Sequence, residues 1–404
     1  MYKKIIAALD GSPVSNFSLE AALDIASRSD NCHLIGCHVY ASRLHRTRFE
    51  DMEPGLPSQY QEEKRLISLR ETHEDLISEG MQLISDAYLA PLAQKAMALK
   101  LSFEGVTPEG HHYVKLLQVM REQEADLTIL GAYGHGFVPE ESLGSLTERL
   151  LLYGDTGDIL VMRQPWFFKN RPIVVGIDGS PNSYQALIRA VEIGNLMEAS
   201  VEAVAVYDPF FHSTVFKTIA DSLTKEAAER FNFTAQEKLH DEIIDRGLET
   251  LYRDGLQRGL LLAKEMGVEI KTEVIAGKVY SQLHHHAALR NASLLVVGRY
   301  GLHQEEESKI GSNALKLARL TPFNLLVVNP PEKDIKLPGI PDAEDFPKLT
   351  WDSEALRIVE RIPAFVRKMA IKSIEARARE QGLNHVTAEL VIQASGKMGK
   401  HKKE

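Results

Sequence analysis

Thiols are scarce in this chain: two cysteines in 404 residues, Cys32 and Cys37. Five positions apart in one predicted strand, they face opposite sides of a sheet and are not placed to pair. A disulfide framework, a thiolate metal cage and an iron–sulfur cluster are thereby excluded. No apolar run reaches the roughly 18 residues that a membrane span needs. Residues 1–6 enter a strand-like run with no signal-peptide pattern, so the cytoplasm is the expected compartment. Positive charge is in deficit, with 47 Lys and Arg against 56 Asp and Glu, a net charge of −9. That balance argues against nucleic acid as the main partner. Neither Gly-Lys-Ser nor Gly-Lys-Thr occurs, which removes a Walker-type phosphate loop. No nucleophile stands at a telling distance from a base, so an enzymatic role has no visible constellation behind it.

Otherwise the composition is that of a globular protein, and the length predicts two or three domains. The chain repeats itself. Asp10-Gly11-Ser12-Pro13 returns 168 residues later as Asp178-Gly179-Ser180-Pro181. Gly131-Ala132-Tyr133-Gly134, nine residues, then Gly144-Ser145 returns 167 residues later as Gly298-Arg299-Tyr300-Gly301, nine residues, then Gly311-Ser312. Gly110 and Gly277 each precede the loop glycine by 21 residues. Strands are expected at 4–9, 33–39, 98–104, 126–131 and 158–163, and again at 172–177, 200–206, 268–275, 293–298 and 324–328. Runs such as Ile173-Val174-Val175 have no polar alternation, as strands covered on both faces do. Strand–helix alternation with right-handed crossovers predicts an α/β fold of two doubly wound, parallel five-stranded sheets in tandem. The long connections, 41–97 and 207–267, read as helix, with an exposed loop at 52–57.

Doubly wound sheets hold ligands at the carboxyl ends of their strands. Asp10 and Asp178 end the first strands there, beside the glycine loops that end the fourth. Glycines let backbone N–H groups approach phosphate oxygens, and the helices beginning at Gly144-Ser145 and Gly311-Ser312 favour an anion at their N-termini. Local readings compete. Ser145 with Glu148 makes a capping box. Ser12 and Ser180 suit helix caps with proline at the first turn, a start that has no use for Asp10 or Asp178. The run His284-His285-His286 reads as a polar helix face, since neighbours on a helix point about 100° apart and cannot converge on one ion.

These motifs resemble the universal stress protein family over 1–164 and 170–330. Their glycine spacing matches its ATP-binding branch, and the family fold is Rossmann-like. The resemblance implies ATP or AMP as ligand, with Mg2+ as an optional companion. It implies that Asp10 and Asp178 contact the nucleoside, and that Val39 and Val206 meet the adenine through their backbone. Gly131, Gly134, Gly144 and Ser145, with Gly298, Gly301, Gly311 and Ser312, would surround ribose and phosphates. It further implies pairing along the fifth strand, here between the two copies of one chain, with a homodimer as the alternative. Glu140, Glu141, Glu305, Glu306 and Glu307 depart from the family pattern. Arg299 and Lys309 are expected to offset those acids in the second loop, and His135 and Arg149 in the first.

Residues 331–350, rich in proline, read as a linker. Residues 351–395 read as a small all-α domain, followed by a basic tail at 396–404. Ser353 and Thr387 look like caps, Pro363 a helix start and Gly382 a helix end. Ile362, Phe365, Val366, Met369 and Ile374 form an apolar face. This segment resembles the C-terminal domain of the light-independent protochlorophyllide reductase B subunit, without cluster-ligating thiolates. It is expected to bind a protein partner. A stress-response regulator that binds nucleotide is thus the leading reading. The alternative is a scaffold that docks a redox or metabolic enzyme through its C-terminal helices.

Overall fold

A computed structural model describes the chain except for residues 61, 137, 139–141, 210–244, 303–308, 339–348, 361–370, 372–373, 376–377, 379–382, 384 and 392–404, and the side chains of 43–46, 245–246 and 360. The first copy runs β1 (Lys4–Ala8), α1 (Pro13–Arg28), β2 (His33–Cys37), α2 (Ser42–Met52), α3 (Glu63–Ala98), β3 (Ser102–Val106), α4 (His112–Glu122), β4 (Leu127–Gly131), α5 (Ser145–Tyr153) and β5 (Asp158–Met162). The second runs β6 (Ile173–Ile177), α6 (Pro181–Met197), β7 (Val201–Tyr207), α7 (Asp245–Glu265), β8 (Lys271–Ala276), α8 (Val279–Leu289), β9 (Leu294–Gly298), α9 (Ser312–Leu320) and β10 (Asn324–Val328).

The third strands start later than the sequence suggests. Residues 98–101 finish α3 and turn through Lys100 at φ 57°, and residues 266–270 follow α7 through Gly267 at φ 78°. Cys32 lies just before β2 rather than in it, and both thiols are free and buried.

The two sheets do not stay separate. They merge into one ten-stranded sheet of order β3-β2-β1-β4-β5-β10-β9-β6-β7-β8. Every neighbouring pair is parallel except β5 and β10, which run antiparallel with Leu326 opposite Leu160. The expected fifth-strand pair is therefore made inside one chain. Side chains cap the joint symmetrically. The Asn324 carbonyl oxygen accepts from the Arg163 N–H at 2.9 Å, and an Asp158 carboxylate oxygen accepts from the Asn329 N–H at 2.9 Å. One apolar core crosses the joint, with Leu150, Leu151 and Ile159 packed in the same cluster as Leu317, Ala318 and Leu325.

By packing, residues 1–207 and 259–336 make one compact unit, and 208–258 with 337–404 another. The C-terminal segment has its own small core of Leu349, Ala355, Val359, Ile374, Ala378, Val386, Leu390 and Val391. Besides α10 (Ser353–Glu360) it carries a parallel two-residue strand pair, β11 (Thr350–Trp351) with β12 (His385–Val386). Such short strands leave no alternation to read in a sequence. Thr387 caps as expected, accepting from the Leu390 N–H at 3.2 Å. Ser353 instead begins α10, and the Leu356 N–H bonds to the carbonyl of Asp352. Pro363, Gly382, Ile362, Phe365, Val366, Met369 and the tail at 396–404 lie outside the described residues.

Candidate functional site

Each first strand hands over to a helix through the same turn. The Ser12 hydroxyl accepts from the Ser15 N–H at 3.2 Å, and the Ser180 hydroxyl from the Ser183 N–H at 3.1 Å, with proline following in both. The aspartates take part as well. Asp10 accepts from the Ser12 N–H at 3.0 Å. Asp178 accepts from the Ser180 N–H at 3.0 Å and its hydroxyl at 2.6 Å, and its second oxygen from the Leu302 N–H at 2.9 Å. The expectation that this turn has no use for them is therefore corrected: they fasten it, and Asp178 ties it to the glycine loop.

That fastening explains one glycine in each loop. A methyl group at Gly134 would lie 2.2 Å from an Asp10 carboxylate oxygen, and one at Gly301 would lie 2.7 Å from an Asp178 oxygen. The next glycine acts differently. Gly144 donates its N–H to the Ala132 carbonyl at 2.8 Å, and Gly311 to the Arg299 carbonyl at 2.7 Å. These two amides close the loops and are not open to a ligand.

The open amides come just after. Glu148 is the first residue of α5 to bond back, to the Gly144 carbonyl, so the N–H groups of Ser145, Leu146 and Thr147 stay free of intrahelical partners. Ser312, Asn313 and Ala314 stand likewise in α9, where Leu315 is the first to bond back. Gly144 and Gly311, not the serines, occupy the cap positions, and no side chain caps either helix. The capping-box reading of Ser145 with Glu148 fails for that reason. Glu148 pairs instead with Arg319 of the second copy.

In the first copy Asp10, Val39, Gly131, Gly134, Gly144 and Ser145 all line one cleft of about 680 Å³. Val39 is 7% exposed. Tyr40 bonds toward β3, donating to Pro108 and accepting from Gly110. Successive residues of a strand turn their peptide groups to opposite neighbours, so Val39 offers its own to the side where β1 has already ended. The Thr147 hydroxyl donates to the Gly131 carbonyl at 2.8 Å and pins α5 to the end of β4.

The sequence missed the cleft's outer wall. His38, Tyr40, Tyr88, His111, His112 and Tyr113 line it, and no motif announces them. Tyr88 reaches in from α3, seven turns after that helix begins, and its ring lies against Gly11. The ring nitrogen Nδ1 of His38 is 2.8 Å from the Ser85 hydroxyl, which itself donates to the Met81 carbonyl. Burial holds the His38 pKa below its ordinary value, His112 adds to that, and Asp10 opposes it. His112 is lowered too, first by burial and then by His111.

The second copy holds Asp178, Val206, Gly298, Gly301, Gly311 and Ser312 at the matching strand ends and helix start. Its loop is braced differently. Asn182 accepts from the Tyr300 N–H at 2.8 Å and donates to the Val328 carbonyl at 3.0 Å, where the first copy has Val14. By the repeat offset α3 corresponds to α7, with Leu256 at the position of Tyr88, while Glu140, Glu141, Glu305, Glu306 and Glu307 lie outside the described residues.

The acids Glu305, Glu306 and Glu307 being outside the described residues, Arg299 and Lys309 are placed here by their described partners. Arg299 is 3% exposed, and its guanidinium donates to the Lys309 carbonyl at 3.1 Å, to the Asn329 side chain at 3.2 Å and to the Leu151 carbonyl. Lys309 lies over the Tyr153 ring at 4.1 Å. Both side chains face the junction of the copies.

The three consecutive histidines have separate surroundings. His285 bonds to its own helix at the Ser281 carbonyl, and His286 is buried 3.4 Å from Glu202. His284 has a buried ring nitrogen with no hydrogen-bond partner among the described residues. The polar-face reading fits His285 alone. Among the described residues no group of three or more His, Cys, Asp or Glu is placed to hold a metal ion, and no helix is long and apolar enough to cross a membrane.

The model of the universal stress protein family matches residues 1–159 and 169–329. The family described as protochlorophyllide reductase 57 kD subunit matches residues 351–394. Universal stress protein MJ0531 of Methanocaldococcus jannaschii is 27% identical over 166 residues, 41% of this chain and 85% of that protein. Universal stress protein YxiE of Bacillus subtilis is 27% identical over 156 residues, 39% of this chain and 97% of its own length. A solved universal stress protein from Archaeoglobus fulgidus DSM 4304 shares the fold at a TM-score of 0.52 and 15% identity, covering 81% of this chain and 98% of its own. With a repeated turn, a repeated glycine loop and a family match across both copies, this chain belongs to the universal stress protein family.

Proposed function

We propose that this protein is a regulatory adenine-nucleotide binder, with ATP or AMP held at the carboxyl ends of the strands. One observation carries the reading: all six residues singled out in the first copy line one cleft, against the free amides that open α5. In this reading the Ser145, Leu146 and Thr147 amides and the helix dipole take the phosphates. Gly131 and Gly134 keep the loop thin, Asp10 meets the ribose, and Val39 presents its peptide groups to the adenine. In the second copy Asp178, Val206, Gly298, Gly301, Gly311 and Ser312 take the same parts. In this reading the ligand is a signal rather than a substrate, and any ATP hydrolysis is incidental. Calorimetric titration with AMP and ATP, with and without Mg2+, tests this. Binding is expected, and Gly134→Val should weaken the first site at least about tenfold, or 1.4 kcal/mol. Absence of heat with either nucleotide sinks the reading.

The C-terminal segment supports a second role beside the first. It has a core of its own and a match of its own, yet no cysteine for cluster chemistry. We assign it to docking a protein partner, as a module attached to the sensing copies. Comparing proteins bound by the full chain and by a chain ending at Pro331 checks this; identical sets would end the docking role.

A further inference from the structure

Tyr113 and Arg149 line the nucleotide cleft of the first copy and also line a second cleft, about 1150 Å³, between the copies. The opposite wall of that junction cleft is the second copy's loop, with Arg299, Tyr300 and Lys309. Its described lining residues carry four cations, Arg121, Arg149, Arg299 and Lys309, against the single carboxylate Asp155, in a protein of net charge −9. Arg121 takes up Asp155 with two bonds of 3.0 Å. Among the described residues, the hydrogen bonds of Arg299 go to the neutral oxygens of Lys309, Asn329 and Leu151.

Arg149 and Lys309 are held by aromatic faces instead. The Arg149 guanidinium lies 4.6 Å from the Tyr113 ring centre, and the Lys309 ammonium 4.1 Å from that of Tyr153. A ring face positions a cation without cancelling its charge, which leaves that charge for a ligand. The device recurs in the second copy, where Lys316 sits over Tyr280 at 4.8 Å. In both copies the cation follows its tyrosine by 36 residues, one at the start of the helix after the third strand, the other within the helix after the glycine loop.

We propose that the junction cleft is an anion subsite continuing the nucleotide cleft. The ligand is then a nucleotide whose phosphate chain outruns the first cleft: a triphosphate or longer, in preference to a monophosphate. The α5 amides hold the inner phosphates, Arg149 stands at the passage, and Lys309 of the second copy meets the outer end. This rests on the nucleotide reading of the first cleft.

Calorimetry on the full chain with AMP, ADP, ATP, adenosine tetraphosphate and inorganic tripolyphosphate decides it. Affinity is expected to rise along the nucleotide series. Lys309→Ala should weaken ATP about three- to tenfold, the range for one charge contact. It should leave AMP unchanged, and Lys309→Arg should restore ATP. AMP and ATP binding equally, or Lys309→Ala weakening both alike, overturns the subsite while the nucleotide reading stands. Should no nucleotide bind, tripolyphosphate still discriminates: binding that Lys309→Ala reduces keeps the subsite, and no binding removes it.

Discussion

At the scale of single residues, the space beside Asp10 decides what position 134 can be. A methyl group there would stand 2.2 Å from the carboxylate, so Gly134→Ala must push Asp10 off the Ser12 N–H. Loss of such a bond costs about 1–2 kcal/mol, and urea unfolding should show a midpoint lowered to match. An unchanged midpoint would mean that the turn does not depend on Asp10. His38 makes a pH-dependent contribution with a definite sign. Its pKa is lower folded than unfolded, so the unfolded chain binds a proton more readily. Stability is then full above the ordinary histidine range and falls as pH drops through about 6.5 toward the lower folded value. His38→Gln should flatten that part of the stability profile, read from melting temperatures between pH 5 and 8.

At the scale of elements, the joint of β5 and β10 depends on one carboxylate. Asp158 accepts from the Tyr2 hydroxyl at 2.7 Å, Arg189 at 3.1 Å and the Asn329 N–H at 2.9 Å. Burial raises its pKa, while Arg189 and the donated hydrogen bonds oppose the rise. Asp158→Ala would strand a buried hydroxyl and an amide and leave Arg189 paired with Glu192 alone, and should cost about 3–5 kcal/mol by chemical denaturation. Asn324→Ala, at the matching place, removes only neutral bonds and should cost about 1–3 kcal/mol.

Elements were also where the sequence was most readable. Unbroken apolar runs gave eight of the ten sheet strands to within two residues, and Ser-Pro gave the starts of α1 and α6. The third strands were misplaced because α3 and α7 end on turns with no proline to mark them. The inner floor of the first cleft was readable because glycine loops and strand ends lie close in sequence. Its outer wall was not. Tyr88 sits on a helix whose docking depends on tertiary packing, and nothing local distinguishes it from a surface tyrosine. The orientation of Arg299 was equally hidden, because its partners Leu151 and Asn329 lie on other elements.

At the scale of the whole molecule, two copies share one sheet and one core. Fragments 1–166 and 167–336, produced together, are therefore expected to assemble one-to-one through the antiparallel strands, as native mass spectrometry would register. Fragments that remain apart would show that the covalent link, not the strand pair, holds the copies together. Fusion also frees the sequence from a constraint. In a pair of identical chains every substitution appears twice and must tolerate its own image across the axis. Here Arg299 stands where the first copy has Ala132, Asn182 where it has Val14, and Ala314 where it has Thr147. Each half can thus diverge singly, one toward gripping a ligand and the other toward reaching across to it, a division of labour that mirrored twins cannot evolve.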